Sequence, residues 1–253
     1  MFQMRTPNQL VHSRANVGPR HALFPLEGYP LSRLPQWTSA DIRILATPAL
    51  GAGFAQYRID IHPGGTAAYA ADGRVETFFY VADGVVALAR PNHETIISAG
   101  GYALIDPTEP FDLRADQPAT IHLLRKVYEP APKTQRFQTL IGSVDNLPAE
   151  VWMNIPQAKL QTLIPDQLHF DLAINIFEFQ PGFGLPYVET HVMEHGLVML
   201  QGKGIYYLDD TWMEVEKDDF IWMGPYCPQS FYATGPVPAR YIYYKDVNRE
   251  IGL

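Results

Sequence analysis

The chain has 253 residues, 47% of them apolar and 18% charged, with a formal net charge of −8. That length suits one large domain or two small ones, and the composition excludes a disordered chain. The acidic balance, with no basic cluster, argues against nucleic acid and anionic membrane surfaces as partners.

The N-terminal stretch MFQMRTPNQLVHSR lacks the apolar run of a secretory leader, and no segment reaches 18 uninterrupted apolar residues. A lone cysteine, Cys227, permits no intrachain disulfide. A soluble cytoplasmic protein is therefore expected. Residues 1–40 read as an arm. Short runs rich in β-branched and aromatic residues then recur at Tyr57–Ile61, Phe78–Val81, Ala103–Asp106 and Ile121–Arg125. Residues 131–165 read as a Pro-containing linker, with a short helix expected around Leu147–Ile155. Further runs follow at Ile174–Phe179, Val198–Leu200, Ile205–Leu208, Phe220–Met223 and Tyr241–Lys245. With 22 prolines and 19 glycines punctuating these runs, the pattern predicts an all-β sandwich or barrel.

The chain also repeats itself. Pro63-Gly64 recurs as Pro181-Gly182, an offset of 118, and the same offset pairs Glu76 with Glu194, Gly84 with Gly202, Tyr102 with Phe220 and Pro107 with Pro225. The run from Ile121 to Lys126 pairs with Tyr241–Asp246 at an offset of 120. Two barrel copies are predicted, over 41–130 and 166–253.

The second copy carries ETHVMEHG at 189–196. If this stretch is extended, Glu189, His191, Met193 and His195 share one face and Glu194 faces away. Two imidazoles and a carboxylate on one face suit a first-row divalent ion, although a solvated strand face would look the same. At the 118 offset Glu189, His191, His195 and Gln229 meet Ala71, Gly73, Thr77 and Phe111, so a single site is expected. Glu194 has a counterpart in Glu76 and reads as structural. Tyr241, Tyr243 and Lys245 alternate onto one face of the last strand.

The pattern Glu189-x-His191-x3-His195-x6-Gly202, followed by Pro225-x2-Pro228-Gln229, resembles the metal motifs of the cupin superfamily. Relative to the usual set, Glu and His trade places and Gln replaces the last His. The strings ETHVMEHG (189–196), LQGKGIYYLDDTW (200–212), YYKDVNR (243–249), VETFFYVADG (75–84), AGGY (99–102) and SRANVGPRHALF (13–24) resemble the ureidoglycine aminohydrolase family of bicupins. The resemblance implies two tandem jelly-roll type cupin barrels, with Mn(II) held in the second by Glu189, His191, His195 and Gln229. It implies hydrolysis of (S)-ureidoglycine to (S)-ureidoglycolate and ammonia in purine (allantoin) catabolism. Tyr206, Tyr241 and Lys245 then fall at substrate-contacting, catalytic positions, and a homo-oligomer is expected. The competing readings are a bicupin oxygenase or decarboxylase acting on a small carboxylic acid, and a storage or sugar-binding bicupin.

Overall fold

A computed structural model describes residues 14–249. Residues 1–13, which hold nearly all of the stretch read for a leader and the start of the arm, and residues 250–253 lie outside the described residues. Strands occur at β1 (Asn16–Val17), β2 (His21–Phe24), β3 (Trp37–Ala46), β4 (Phe54–Tyr69), β5 (Val75–Asp83), β6 (Val85–Arg90) and β7 (His93–Ser98). They continue as β8 (Gly101–Ile105), β9 (Phe111–Ala115), β10 (Ala119–Val127), β11 (Leu140–Ser143), β12 (Glu150–Trp152), β13 (Ile155–Thr162) and β14 (Leu172–Phe179). The last are β15 (His195–Gln201), β16 (Lys203–Leu208), β17 (Thr211–Glu216), β18 (Phe220–Met223), β19 (Gln229–Ala233) and β20 (Ala239–Asp246). Among the described residues the remaining elements are three short 3-10 turns, and no helix is long and apolar enough to cross a membrane. The all-β expectation is met, and every run singled out in the sequence lies on a strand or reaches one residue past its end.

The contacts divide the chain into two units. One takes residues through Pro30, Glu150–Leu160 and Ile176–Lys245. The other takes Leu31–Ala149, Gln161–Asn175 and the residues from Asp246. In the Leu31–Ala149 unit the strands run β11-β8-β5-β10-β4-β9-β6-β7, with β3 against β4. In the Ile176–Lys245 unit they form a sheet of order β1-β2-β18-β15-β20-β14-β13-β12 and a second of order β17-β16-β19. The stretch read as linker thus supplies β11, β12 and β13, and the arm supplies β1 and β2.

The repeat is carried by the strands. Moved by 118 residues, the bounds of β6, β7 and β9 become those of β16, β17 and β19. The cross-strand pair Thr77↔Arg125 has its counterpart in His195↔Lys245. Each unit closes over its own core: Ile59, Phe79, Leu88, Leu113 and Ile121 in one, Phe179, Leu197, Leu208, Phe231 and Tyr241 in the other. Burying each such side chain contributes about 1.5–3 kcal/mol. Gly84 and Gly202 show why a turn residue repeats. Both have positive φ (77° and 74°), and a Cβ would come within 2.4 Å of the Pro118 carbonyl oxygen or 2.7 Å of that of Pro238.

The expected helix at Leu147–Ile155 is not formed. A 3-10 turn spans Val144–Asn146, and β12 and β13 make a hairpin in which Trp152 pairs with Ile155. The two residues between them, Met153 and Asn154, have φ of 47° and 60°, the paired positive values of a tight hairpin turn. Asn tolerates that conformation, and β-branched Val151 and Ile155 favour the flanking strands.

Candidate active site

The stretch Tyr187–Glu194 is not a continuous strand; β15 begins only at His195. The reason lies upstream. Gly184 bridges Tyr232, and the Leu185 N–H donates to the Phe231 carbonyl, a register equivalent to Thr66↔Arg114 and Ala67↔Leu113. Continued, that register would set Tyr187 opposite Gln229, as Tyr69 lies opposite Phe111. Instead Glu189 bridges Gln229, with both N–H···O bonds at 2.9 Å. Two extra residues are thus accommodated between Leu185 and Glu189, in a bulge at Pro186, whose backbone nitrogen, like that of the equivalent Ala68, lies on the side away from this ladder. Tyr187 and Val188 are left 51% and 48% exposed. The return to β15 is correspondingly two residues shorter, which restores the 118 offset at His195.

By strand pairing, therefore, Glu189 occupies the place of Tyr69, not of Ala71. In the other unit Tyr69 and Phe111 are stacked, with centroids 4.8 Å apart and planes at 12°. The Arg125 guanidinium lies 5.0 Å over the Tyr69 ring, and the Trp37 N–H donates to the Tyr69 hydroxyl at 2.8 Å. An aromatic plug fills one unit where the other sets a carboxylate beside an amide.

Around that polar pair the remaining side chains converge. His191 sits in the bend after Glu189, its carbonyl accepting the Tyr226 N–H at 2.7 Å. His195 opens β15 and is buried; Gln229 opens β19 and is 3% exposed. The Gln229 amide nitrogen lies 3.0 Å from His191 Nε2, and His191 Nε2 lies 3.2 Å from His195 Nε2. Tyr206, on β16, donates its hydroxyl to Gln229 Oε1 at 3.4 Å, and its ring lies 6.2 Å from that of Tyr241 at 59°. Tyr241, Tyr243 and Lys245 alternate along β20 and all line one cavity with Glu189, His191, His195, Tyr206 and Gln229. The cavity holds about 100 Å³. The structure thus brings every sequence-predicted site residue to one place.

Burial dominates the electrostatics. It pushes the Glu189 carboxyl up, with His191 and Lys245 pulling the other way. It holds His195 down at about 3, with neighbouring His191 adding to the effect, so the ring is neutral near pH 7. Burial also raises both Tyr206 and Tyr241 well above the ordinary phenol value, so neither is a phenolate.

Both ring tautomers are fixed by carbonyls, which can only accept. His195 Nδ1 lies 3.0 Å from the Tyr244 oxygen and His191 Nδ1 lies 3.2 Å from the Met193 oxygen. Each Nδ1 therefore carries a proton, and the two Nε2 atoms face each other across 3.2 Å. Glu194, excluded by alternation, does face away: its carboxylate accepts the Trp222 N–H at 3.3 Å. Its counterpart Glu76 is fully buried beside Lys126, 3.6 Å away.

The chain is 33% identical over 251 residues to (S)-ureidoglycine aminohydrolase of Escherichia coli K12, a match that covers 96% of this chain and 95% of that one. It is 32% identical over 235 residues to (S)-ureidoglycine aminohydrolase of Arabidopsis thaliana, covering 90% and 76%. The chain belongs to the ureidoglycine aminohydrolase family. The protein is accordingly an enzyme, a hydrolase. No family model matches the chain. Among solved structures, the E. coli protein Ylba superposes with a TM-score of 0.86 at 31% identity, over 98% of this chain and all of the other. A mutant of Bacillus subtilis oxalate decarboxylase superposes at 0.71 over 99% of this chain and 86% of that one. At 9% identity, that likeness carries the cupin fold alone.

The residues of this family member fit a divalent cation. Two imidazole nitrogens, His191 Nε2 and His195 Nε2, come within 3.2 Å of each other, each on a ring whose Nδ1 is held by a carbonyl, and a carboxylate lines the same cavity. Among the described residues no three His, Cys, Asp or Glu side chains close around a single point; the histidine pair does, with Gln229 beside it. Only the carbonyl oxygen of Gln229 can ligate a cation, and the nitrogen is the atom facing His191, so ligation requires the amide to turn over.

Sequence reasoning missed part of the wall. Trp152 and Phe177 line the cavity, their rings edge to face at 5.2 Å and 85°. Phe177 stacks on Tyr243 at 5.8 Å and 9°. Phe177 was legible as a strand residue. Trp152 lay inside the presumed linker, and only its place before the two-residue turn marks it.

Proposed function

We propose that this enzyme hydrolyses (S)-ureidoglycine to (S)-ureidoglycolate and ammonia, with one Mn(II) held by Glu189, His191, His195 and Gln229. The place of this reaction is purine catabolism in the cytoplasm, in an assembly of identical chains. The observation that carries the reading is the pair of Nε2 atoms 3.2 Å apart, in a cavity lined also by Glu189, Gln229 and Lys245. The family relatives carry the same activity in their names.

The substrate carries an amine, a carboxylate and a ureido group on one carbon. Glu189, His191, His195 and Gln229 would hold a divalent ion, which would supply electrophilic chemistry to the substrate. The Lys245 ammonium, across the strand pair from His195, takes a carboxylate oxygen in a charge-assisted bond. Tyr206, packed against Phe231 and Tyr241 in the cavity wall, orients the ureido group. With both ends held, the lone pair of the ureido nitrogen assists as the C–N bond to the amine breaks. Ammonia leaves with the bonding pair and one added proton, and the water whose oxygen forms the new C–O bond gives up one proton in balance. Fixing the carbon between two anchored groups exposes one face to water, which sets the configuration.

The test is product identity. Freshly generated ureidoglycine incubated with the Mn-loaded protein should give ureidoglycolate of one hand. Racemic product at the spontaneous rate would overturn the proposal. The likeness to oxalate decarboxylase, at 9% identity, gives no ground for a second reading.

A further inference from the structure

Two of the proposed ligands, His191 and Gln229, are held by one turn. Residues 224–228 join β18 to β19, and Gln229 follows directly. The Tyr226 N–H donates to the His191 carbonyl at 2.7 Å, and the Asp209 N–H donates to the Pro228 carbonyl, next to Gln229, at 2.9 Å. Tyr226 has a φ of 60°, a conformation that is costly for a bulky residue and persists only where its surroundings impose it. Its side chain is 51% exposed, so packing of the ring does not impose it.

Arg20, just before β2, grips this turn at three points. Its carbonyl accepts the Gly224 N–H at 2.8 Å. Its guanidinium donates to the Tyr226 carbonyl at 3.2 Å and to the Asp209 carboxylate. The repeat shows that this brace is particular to the unit with the site. In the Leu31–Ala149 unit the equivalent turn is braced through Glu109, whose two carboxylate oxygens accept from Arg90 Nη1 at 3.1 Å and one of which also accepts from Thr139. At the 118 offset Arg90 and Glu109 become Leu208 and Cys227, which supply no ion pair. Arg20 restores an ionic brace from outside the repeat. It lines no part of the cavity, so it acts through the backbone of the turn.

We infer that Arg20 is a positioning residue of the metal site: by clamping the turn it sets His191, through Tyr226, and Gln229, through Asp209, for one divalent ion. This role rests on the ligand set proposed above. Partners that orient metal ligands typically govern affinity for the ion.

The experiment compares Arg20→Met with Arg14→Met. Arg14 ties the same N-terminal stretch to Glu216 and Asp219, at the other end of β18 from the ligand turn. Titration of the metal-free proteins with Mn(II) should show an affinity roughly tenfold lower in Arg20→Met and equal to wild type in Arg14→Met. The metal-free Tm of Arg20→Met should fall by no more than roughly 2–4 °C, because the Arg20–Asp209 pair is partly exposed. At saturating Mn(II) the electron paramagnetic resonance lines of the bound ion should broaden in Arg20→Met and match wild type in Arg14→Met. Asp209→Asn weakens the same clamp from its other end and suits the φ of 61° there; it should lower Mn(II) affinity in the same direction. Wild-type affinity or a wild-type spectrum in Arg20→Met overturns the inference, as do equal affinity losses in the two arginine variants. A wild type that binds Mn(II) but releases no ammonia from ureidoglycine refutes the proposed reaction and leaves these comparisons to decide the role of Arg20. A wild type that binds no Mn(II) overturns both.

Discussion

Replacing His191 with Ala separates what the metal contributes from what the fold contributes. In the metal-free protein the variant loses two hydrogen bonds, from His191 Nδ1 to the Met193 carbonyl at 3.2 Å and from the Gln229 amide nitrogen to His191 Nε2 at 3.0 Å, each worth about 1 kcal/mol. It also removes the close approach of two ring nitrogens, His191 Nε2 to His195 Nε2 at 3.2 Å, which acts in the opposite direction. The net change should stay within about 1 kcal/mol, or roughly 2–4 °C in Tm for a domain of this size. Metal behaves differently. Free Mn(II) at 100 times Kd stabilises wild type by about 2.7 kcal/mol, which translates to a rise of roughly 5–11 °C. The variant lacks one of two opposed nitrogen donors and should show no such rise. Thermal unfolding with and without Mn(II), alongside metal analysis of the dialysed proteins, reads both quantities. A variant that keeps the full rise, or still binds one equivalent of Mn(II), would refute the ligand assignment.

Lys245→Met should lower kcat/KM roughly 10- to 100-fold, the range of a lost charge-assisted bond, while bound Mn(II) stays constant; steady-state kinetics with metal analysis checks this. Burial, followed by the nearby Asp171 carboxylate, raises the Glu76 carboxyl well above its ordinary value of 4.5, with Lys126 opposing. The folded chain therefore retains a proton that the unfolded chain releases above about 4.5. The stability from this group is present below that pH and is lost as pH rises through the folded value. Glu76→Gln should abolish that decline in a series of Tm measurements from pH 4 upward, and an unaltered slope would contradict it. Phe231→Ala, at a fully buried position ringed by Phe179, Tyr206 and Tyr241, should cost about 3–5 kcal/mol, seen as a lower urea midpoint. Light scattering should report a particle larger than one chain.

The strands were legible because β-branched and aromatic runs alternate with Pro and Gly, and because shared turns repeat at one offset. Gly84 and Gly202 show the physical reason: each closes a turn where a carbonyl leaves no room for a Cβ. The site residues were legible through the Glu189–His195 cluster and its likeness to a family. Its local geometry was not. The bulge at Pro186 adds two residues and the next connection removes two, so the 118 offset survives and the shift of Glu189 from Ala71 to Tyr69 is hidden. Alternation placed Glu189, His191 and His195 on one strand face, whereas a bridge, a bend and a strand start bring them together. The hairpin at Trp152 was hidden for another reason. Its partner strand begins three residues on, at Ile155, and a segment so short carries no periodicity to distinguish a turn from a helix.

The central claim is that a metal-loaded cavity in the Ile176–Lys245 unit removes the amine of ureidoglycine. The direct measurement is ammonia release from freshly generated ureidoglycine by one preparation, first stripped of metal and then restored with Mn(II). The account predicts the spontaneous rate from the stripped protein and a rate well above it after restoration, while His191→Ala stays at the spontaneous rate before and after. Equal rates before and after restoration, with Mn(II) shown to be bound, would contradict it.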